Sequence, residues 1–236
     1  MATRSPTSAQ PSIPAAEFVQ SSLRQKITAG QLLPGSRLID HLLAHEYGVS
    51  RNTVRDALRL LTTDGLVVSI RNFGSSVRTL SAADVRDIYT ARRLLETAAV
   101  QQSAAAPDAL LAEVDRAASA SEHHVKAGDW NNVGTSSLAF HQAVVSLGGS
   151  ARVNDFFNNL AAQLRLAFAV MPDESAFQVT WVQKDRQIAD LILAGHREEA
   201  VARLIEYLNE SETKVIDGVR AAERGRTSPE SAEETP

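Results

Sequence analysis

The chain has 236 residues, 44% hydrophobic and 22% charged, with a net charge of −4 and no cysteine. The missing cysteines exclude a disulfide framework, a thiol nucleophile and a thiolate zinc site, so any metal would need His and carboxylate ligands. No stretch approaches the ~18 uninterrupted apolar residues of a membrane span, and no basic segment followed by an apolar block opens the chain, so a cytoplasmic protein with no membrane partner is expected.

Residues 1–15 and 226–236 are rich in Ser, Thr, Pro and Ala and are expected to be disordered tails. From Glu17 to Ala29 the apolar residues Phe18, Val19, Leu23 and Ile27 recur at helical spacing, and Gly30 stops the run. A Pro34-Gly35 pair turns the chain. Asp40 is then placed to cap a short helix through Tyr47, ended by Gly48, and Ser50 to cap a third helix with Val54, Ala57, Leu58 and Leu61 on its buried face. Two short helices joined by so tight a turn predict a helix-turn-helix. Leu66–Ile70, a turn at Arg71–Gly74 and Ser75–Thr79 then read as a β-hairpin wing.

Charge is distributed unevenly. Residues 16–80 carry eight Lys/Arg against five acids, a net of +3, whereas the chain from residue 81 onward carries −8. A basic module joined to an acidic one points to a nucleic-acid partner for the first. Arg51, Asn52, Thr53 and Arg55 crowd the first turn of the third helix, the part of a recognition helix that reaches base edges in the major groove. Arg71 and Gly74 fall at the wing, and Arg37 stands before the helix pair, within reach of phosphate.

These residues carry a family resemblance. Ile27–Leu32, Pro34-Gly35-Ser36-Arg37-Leu38, Gly48-Val49-Ser50-Arg51, Val54-Arg55, Ala57-Leu58, Leu61 and Gly65-Leu66-Val67 resemble the DNA-binding domain of GntR-family bacterial transcription regulators. The resemblance implies a winged helix that binds a pseudo-palindromic operator in double-stranded DNA as a homodimer. It places DNA contacts at Arg37, Ser50, Arg51, Thr53, Arg55 and Gly74. Asn52-Thr53 and Asp56 depart from the usual Thr-Pro and Glu, which bears on the operator sequence rather than on the mode of binding.

The second half begins at Ser81-Ala82-Ala83-Asp84, a capping-box start, and runs to about Gly225 as about six helices with breaks at Pro107-Asp108, Gly128-Asp129, Gly148-Gly149, Pro172-Asp173 and Gly195. The expected architecture is therefore a winged helix-turn-helix at 16–80 and an all-α bundle at 81–225. Polar residues interrupt the apolar stripes of four of these helices: Arg92 with Val85, Ile88, Leu95 and Ala99; Ser137 and His141 with Val144; Asp185 with Trp181, Ile188 and Ile192; and Tyr207 with Ala200 and Leu204. Polar groups converging from several helices of a bundle predict a ligand cavity. His41, His45, His123, His124 and His196 read as surface or loop residues.

Ser81–Val85, Arg92–Glu96, Phe140-His141 and the run from Ile188 to Leu208 resemble the FCD helical effector-binding domain of the FadR-like branch of the family. That resemblance implies a divalent metal on an Asp and a His one turn apart and on two later His. Ser137, His141, Asp185 and Tyr207 stand in those places, and with only His141 and Asp185 able to coordinate, no metal and no other cofactor is expected. Arg92 matches an arginine that projects into the effector cavity, so a carboxylate-bearing metabolite is the expected effector, touching Arg92, Ser137, His141, Asp185 and Tyr207. No nucleophile and base pair, phosphate-cradling glycine loop or supported carboxylate pair is present, and an enzyme is not expected. The alternative is a dimeric DNA-binding protein without an effector, whose helical half only dimerises.

Overall fold

The computed structural model describes residues 14–171 and 174–227. Residues 1–13 and 228–236, most of the expected tails, and the break at Pro172-Asp173 lie outside them. The first helix, α1 (Ala15–Thr28), starts two residues before the expected Glu17 and buries Val19, Leu23 and Ile27. α2 (Asp40–Tyr47) ends on Gly48, whose φ of 64° is the left-handed conformation that lets the chain reverse within two residues. α3 (Arg51–Thr63) begins at Ser50, whose Oγ accepts the backbone N–H of Thr53 at 3.1 Å, and buries the predicted Val54, Ala57, Leu58 and Leu61.

Two local expectations need correction. Asp40 does not cap α2: Ile39 holds the N-cap position with no side-chain bond, and Asp40 is the first helical residue. Its carboxylate is drawn instead to two arginines of α3. The segment read only as a Pro-Gly turn also contains a strand, β1 (Arg37–Leu38), which pairs antiparallel with the wing. Two residues are too few to show a period of two. The wing itself is β2 (Val67–Ile70) and β3 (Gly74–Val77), in a three-stranded sheet of order β1-β3-β2 with Ile70 opposite Gly74.

Ser81 and Asp84 form the reciprocal capping box that starts α4 (Ala82–Gln102). A single 3-10 turn (Ser103–Ala105) precedes α5 (Asp108–Ala127), α6 (Trp130–Ser146), α7 (Ala151–Phe168), α8 (Glu174–Leu193) and α9 (Arg197–Thr227). α4 lies against α9, and α6 packs on α4, α5, α7 and α8, so α6 is central to the bundle. None of the described helices is long and apolar enough to cross a membrane.

The two halves meet where α1 rests on α7. Arg24 pairs with Asp64 at 3.1 Å and donates to Asn159 Oδ1 at 2.8 Å and to the Asn158 carbonyl at 3.1 Å. In the other direction Arg165 Nε donates to the Thr28 carbonyl at 3.1 Å and Gln163 Nε2 to the Asp64 carbonyl at 2.9 Å.

Candidate nucleic-acid interface and buried polar cluster

The first turn of α3 and the wing form one face. Arg37, Arg51, Asn52, Arg55, Arg71 and Gly74 are exposed on it, while Ser50 and Thr53 are joined to each other at the helix start by a 2.8 Å hydroxyl contact. Arg37, Arg55 and Gly74 share a cleft of about 490 Å³ between α3 and the wing. Asp40 sits at its edge and splits its two oxygens, Oδ1 to Arg51 Nη2 at 3.1 Å and Oδ2 to Arg55 Nε at 3.0 Å. The bonds from Arg51 and then Arg55 hold the Asp40 carboxyl below its ordinary value. Sequence reasoning missed two members of this face: Asp40 as the partner of both arginines, and Phe73, which stands 73% exposed at the wing tip. An aromatic residue in a hairpin turn was the available signal for Phe73.

Inside the bundle the predicted polar residues come together. Arg92, Ser137, His141, Asp185 and Tyr207 are all buried, contributed by α4, α6, α8 and α9. The residue that joins them is Glu96, one turn beyond Arg92 and wholly buried, which sequence reasoning did not select. Its Oε1 accepts from Arg92 Nε at 2.8 Å and its Oε2 lies 2.6 Å from His141 Nδ1. The Ser137 hydroxyl donates to Asp185 Oδ2 at 2.7 Å and lies 3.5 Å from the Tyr207 hydroxyl. The Tyr207 ring lies between His141 and Trp181, with centroids 4.9 and 5.0 Å away and the ring planes inclined by 57° and 64°. The signal for Glu96 was its i, i+4 spacing from an inward arginine, a pattern that more often marks a surface pair.

Four buried polar atoms here have no hydrogen-bond partner: Arg92 Nη2, His141 Nε2, Trp181 Nε1 and Asp185 Oδ1. His141 Nε2 stands 3.6 Å from Asp185 Oδ1, too far for a hydrogen bond. Burial pushes Glu96 up, but His141 and Arg92 outweigh it and hold the carboxyl below its usual value. Asp185 has weaker support from His141 and Ser137, and burial pushes it up to about 6. Burial also keeps Tyr207 protonated, far above its ordinary value.

The residues present do not fit a metal centre. Tyr207 is a protonated phenol, Ser137 is a hydroxyl donating to Asp185, and Glu96 and the His141 Nδ1 already satisfy each other. Only His141 Nε2 and Asp185 Oδ1 have free coordination capacity. The clefts of about 300 and 490 Å³ among the described residues are lined by other side chains. Outside the cluster, His41, His45, His123 and His196 are exposed, and His124 pairs with Asp129 at 3.1 Å.

The raised Asp185 carboxyl has a consequence for stability. Folded Asp185 binds its proton near pH 6 and the unfolded residue near 3.8, so the folded state holds more protons between those values. The associated stabilisation is complete below about pH 4 and is lost as pH rises through 6. Relative to Asp185→Asn, the native chain is expected to lose up to about 3 kcal/mol across that window. Urea unfolding of both proteins at intervals from pH 4 to 7 measures it, and parallel stability curves would show that Asp185 does not titrate this way.

A winged helix with its arginines on one face, carried on a helical bundle with a buried polar centre, defines a class of two-part DNA-binding protein. A family profile described as bacterial regulatory proteins, gntR family, matches residues 15–77, and one described as the FCD domain matches residues 87–210. The chain belongs to the GntR family and carries an FCD domain, a combination found in transcription regulators rather than enzymes. It is 33% identical over 152 residues to an HTH-type transcriptional regulator of Paraburkholderia xenovorans, BphR, covering 60% of this chain and 61% of that one. It is 25% identical over 143 residues to the gluconate operon transcriptional repressor of Bacillus licheniformis, covering 60% and 58%. The chain thus spans about three fifths of the length of these two curated relatives. The crystal structure of a GntR protein from Rhodococcus sp. RHA1 superposes with a TM-score of 0.81 at 32% identity, over 86% of this chain and 97% of that one.

Proposed function

We propose that this protein is a sequence-specific, homodimeric transcriptional repressor of the cytoplasm that binds a pseudo-palindromic operator and is modulated by a small carboxylate-bearing metabolite. The DNA contacts are assigned to Arg37, Ser50, Arg51, Asn52, Thr53, Arg55, Arg71 and Gly74, and the effector contacts to Arg92, Ser137, His141, Asp185 and Tyr207. The relative named as a repressor supports the sign of regulation. The observation that carries the effector reading is the group of four unpartnered polar atoms in the bundle. Arg92 Nη2 and Trp181 Nε1 offer donors, and Asp185 Oδ1 offers an acceptor, which together match the carboxylate and hydroxyl of a hydroxy acid. Buried polar atoms rarely stay unsatisfied in native proteins, so a ligand that completes them has a binding energy to draw on.

The close packing of the same residues favours a second reading, in which the helical half only dimerises. Titration of a selected operator by fluorescence anisotropy at fixed salt, with and without a panel of small organic acids, separates the two. If the effector reading holds, one acid shifts affinity by about 5- to 150-fold, the usual range of allosteric coupling. Arg92→Lys is expected to remove that shift while leaving effector-free operator binding intact. Operator binding that no acid moves supports the dimerisation reading, and no operator binding at all refutes both.

A further inference from the structure

Phe73 is the most exposed large apolar side chain among the described residues, at 73%. Its mount is nevertheless fixed. The Phe73 N–H donates to the Ile70 carbonyl at 3.0 Å, and Ile70 stands opposite Gly74, so only Arg71, Asn72 and Phe73 span the tip. Asn72 and Gly74, on either side of Phe73, both hold left-handed backbones, with φ of 70° and 88°. Asparagine is among the few residues other than glycine that accept this conformation. Just behind the tip a 2.8 Å hydroxyl contact between Ser69 and Ser75 ties the two strands together. A ring carried on so short and pinned a hairpin is ordered before it meets a partner.

Its surroundings say which partner. Phe73 lines the cleft between α3 and the wing together with Arg37 and Arg55, and the exposed Arg71 is two residues away. Two copies of so basic a face would repel each other, whereas an apolar ring among guanidinium groups suits a duplex, whose bases lie between two charged strands. One sugar–phosphate strand separates the major groove from the minor groove. With that strand in the cleft and α3 in the major groove, the wing tip stands over the minor groove, which at about 6 Å wide admits a side chain but not a two-stranded ribbon.

We propose that Phe73 is a wedge that enters between two base pairs from the minor groove, opens one base step and kinks the operator. This rests on the assignment of α3 and the wing to DNA and adds to it a second way of reading sequence. Unstacking costs least at the flexible pyrimidine–purine steps, TA and CA/TG, so the wing selects such a step at a place that α3 does not touch. The bend also brings phosphates on both sides of the kink toward Arg37 and Arg71.

The test uses the full chain and an operator selected by it from a random duplex pool. The selected duplexes are expected to share a TA or CA/TG step flanking the bases read by α3. Resonance energy transfer across a doubly labelled operator is expected to show a bend of about 20–90°, the range of side-chain wedges. A thymine at the flanking step is expected to become reactive to permanganate. Phe73→Ala should lose the bend and the reactivity, and weaken the operator by about 5- to 150-fold, as for an aromatic side chain that stacks on one base. Phe73→Leu should keep most of the bend. Replacing the flexible step by the stiff AA should weaken the native chain but not Phe73→Ala. A straight native complex, a bend that survives in Phe73→Ala, or equal sensitivity of both proteins to the AA change would each overturn the wedge while leaving α3 as the reading helix. A native chain that binds no operator removes the DNA assignment itself. If sedimentation shows Phe73→Ala altering self-association while operator bending is unchanged, Phe73 serves an interface between copies and the wedge is wrong. Matching urea unfolding curves confirm that the variants fold.

Discussion

Glu96→Ala is expected to destabilise the helical half by about 3–5 kcal/mol, the cost typical of removing one partner from a buried ion pair. Glu96 is wholly buried and its carboxylate bonds both Arg92 and His141. Its removal leaves the Arg92 guanidinium inside the bundle without the oxygen that its Nε bonds, and leaves His141 Nδ1 without its acceptor. At about 2–4 °C per kcal/mol for a chain of this size, the unfolding midpoint falls by roughly 10 °C. Trp181 reports on the event directly, because its ring lies 5.0 Å from that of Tyr207 within the same cluster. Glu212→Ala serves as the contrast: it breaks the Arg93–Glu212 pair, which is partly solvated, and is expected to cost about 1 kcal/mol or less. A Glu96→Ala midpoint within about 2 °C of the native protein would mean that the cluster contributes no net stability.

The second large effect is expected at α3. Arg51→Ala and Arg55→Ala should each weaken operator binding by about 1–3 kcal/mol, roughly 5- to 150-fold. Their affinity for unrelated DNA should change far less if the guanidinium reads a base edge, and by a similar factor if it contacts only phosphate. Both side chains are more than half exposed, so the folded state should lose little. Arg51→Lys tests the geometry, because a lysine keeps the charge but not the planar fork that a guanine accepts. Anisotropy titrations with operator and scrambled duplexes at one salt concentration distinguish these cases. Native-like operator affinity in both alanine variants would remove α3 as the reading helix.

The parts of this molecule that short-range chemistry specifies were readable from the chain alone. Ser50 and the spacing of Val54, Ala57, Leu58 and Leu61 defined α3, and Ser81 with Asp84 defined the start of α4, because caps and stripes are written within one or two turns. Arg92, Ser137, His141, Asp185 and Tyr207 were legible as polar interruptions of apolar stripes, and the bundle does bury them together. Glu96 was not, since an arginine and a glutamate one turn apart look the same on a solvated face as in a core. Asp40 was misread for a related reason: an acid at a helix start is a good cap in general, but here two arginines 11 and 15 residues away compete for it. β1 is too short to have a pattern. The joint between the halves depends on residues from Arg24 to Arg165 meeting in space, and no local signal announces it.

Asp40 also changes what binding DNA must accomplish. In the free protein its carboxylate lies between Arg51 and Arg55, so these two guanidinium groups carry their own counterion. Engaging DNA then exchanges this internal carboxylate for groups of the duplex, and with the negative charge of Asp40 still beside them the two arginines neutralise less phosphate charge and release fewer condensed cations, so the logarithm of affinity should fall less steeply with the logarithm of salt than the number of arginines on this face suggests. A duplex that offers phosphate alone gains little from that exchange, whereas base edges in the correct order supply what the carboxylate cannot.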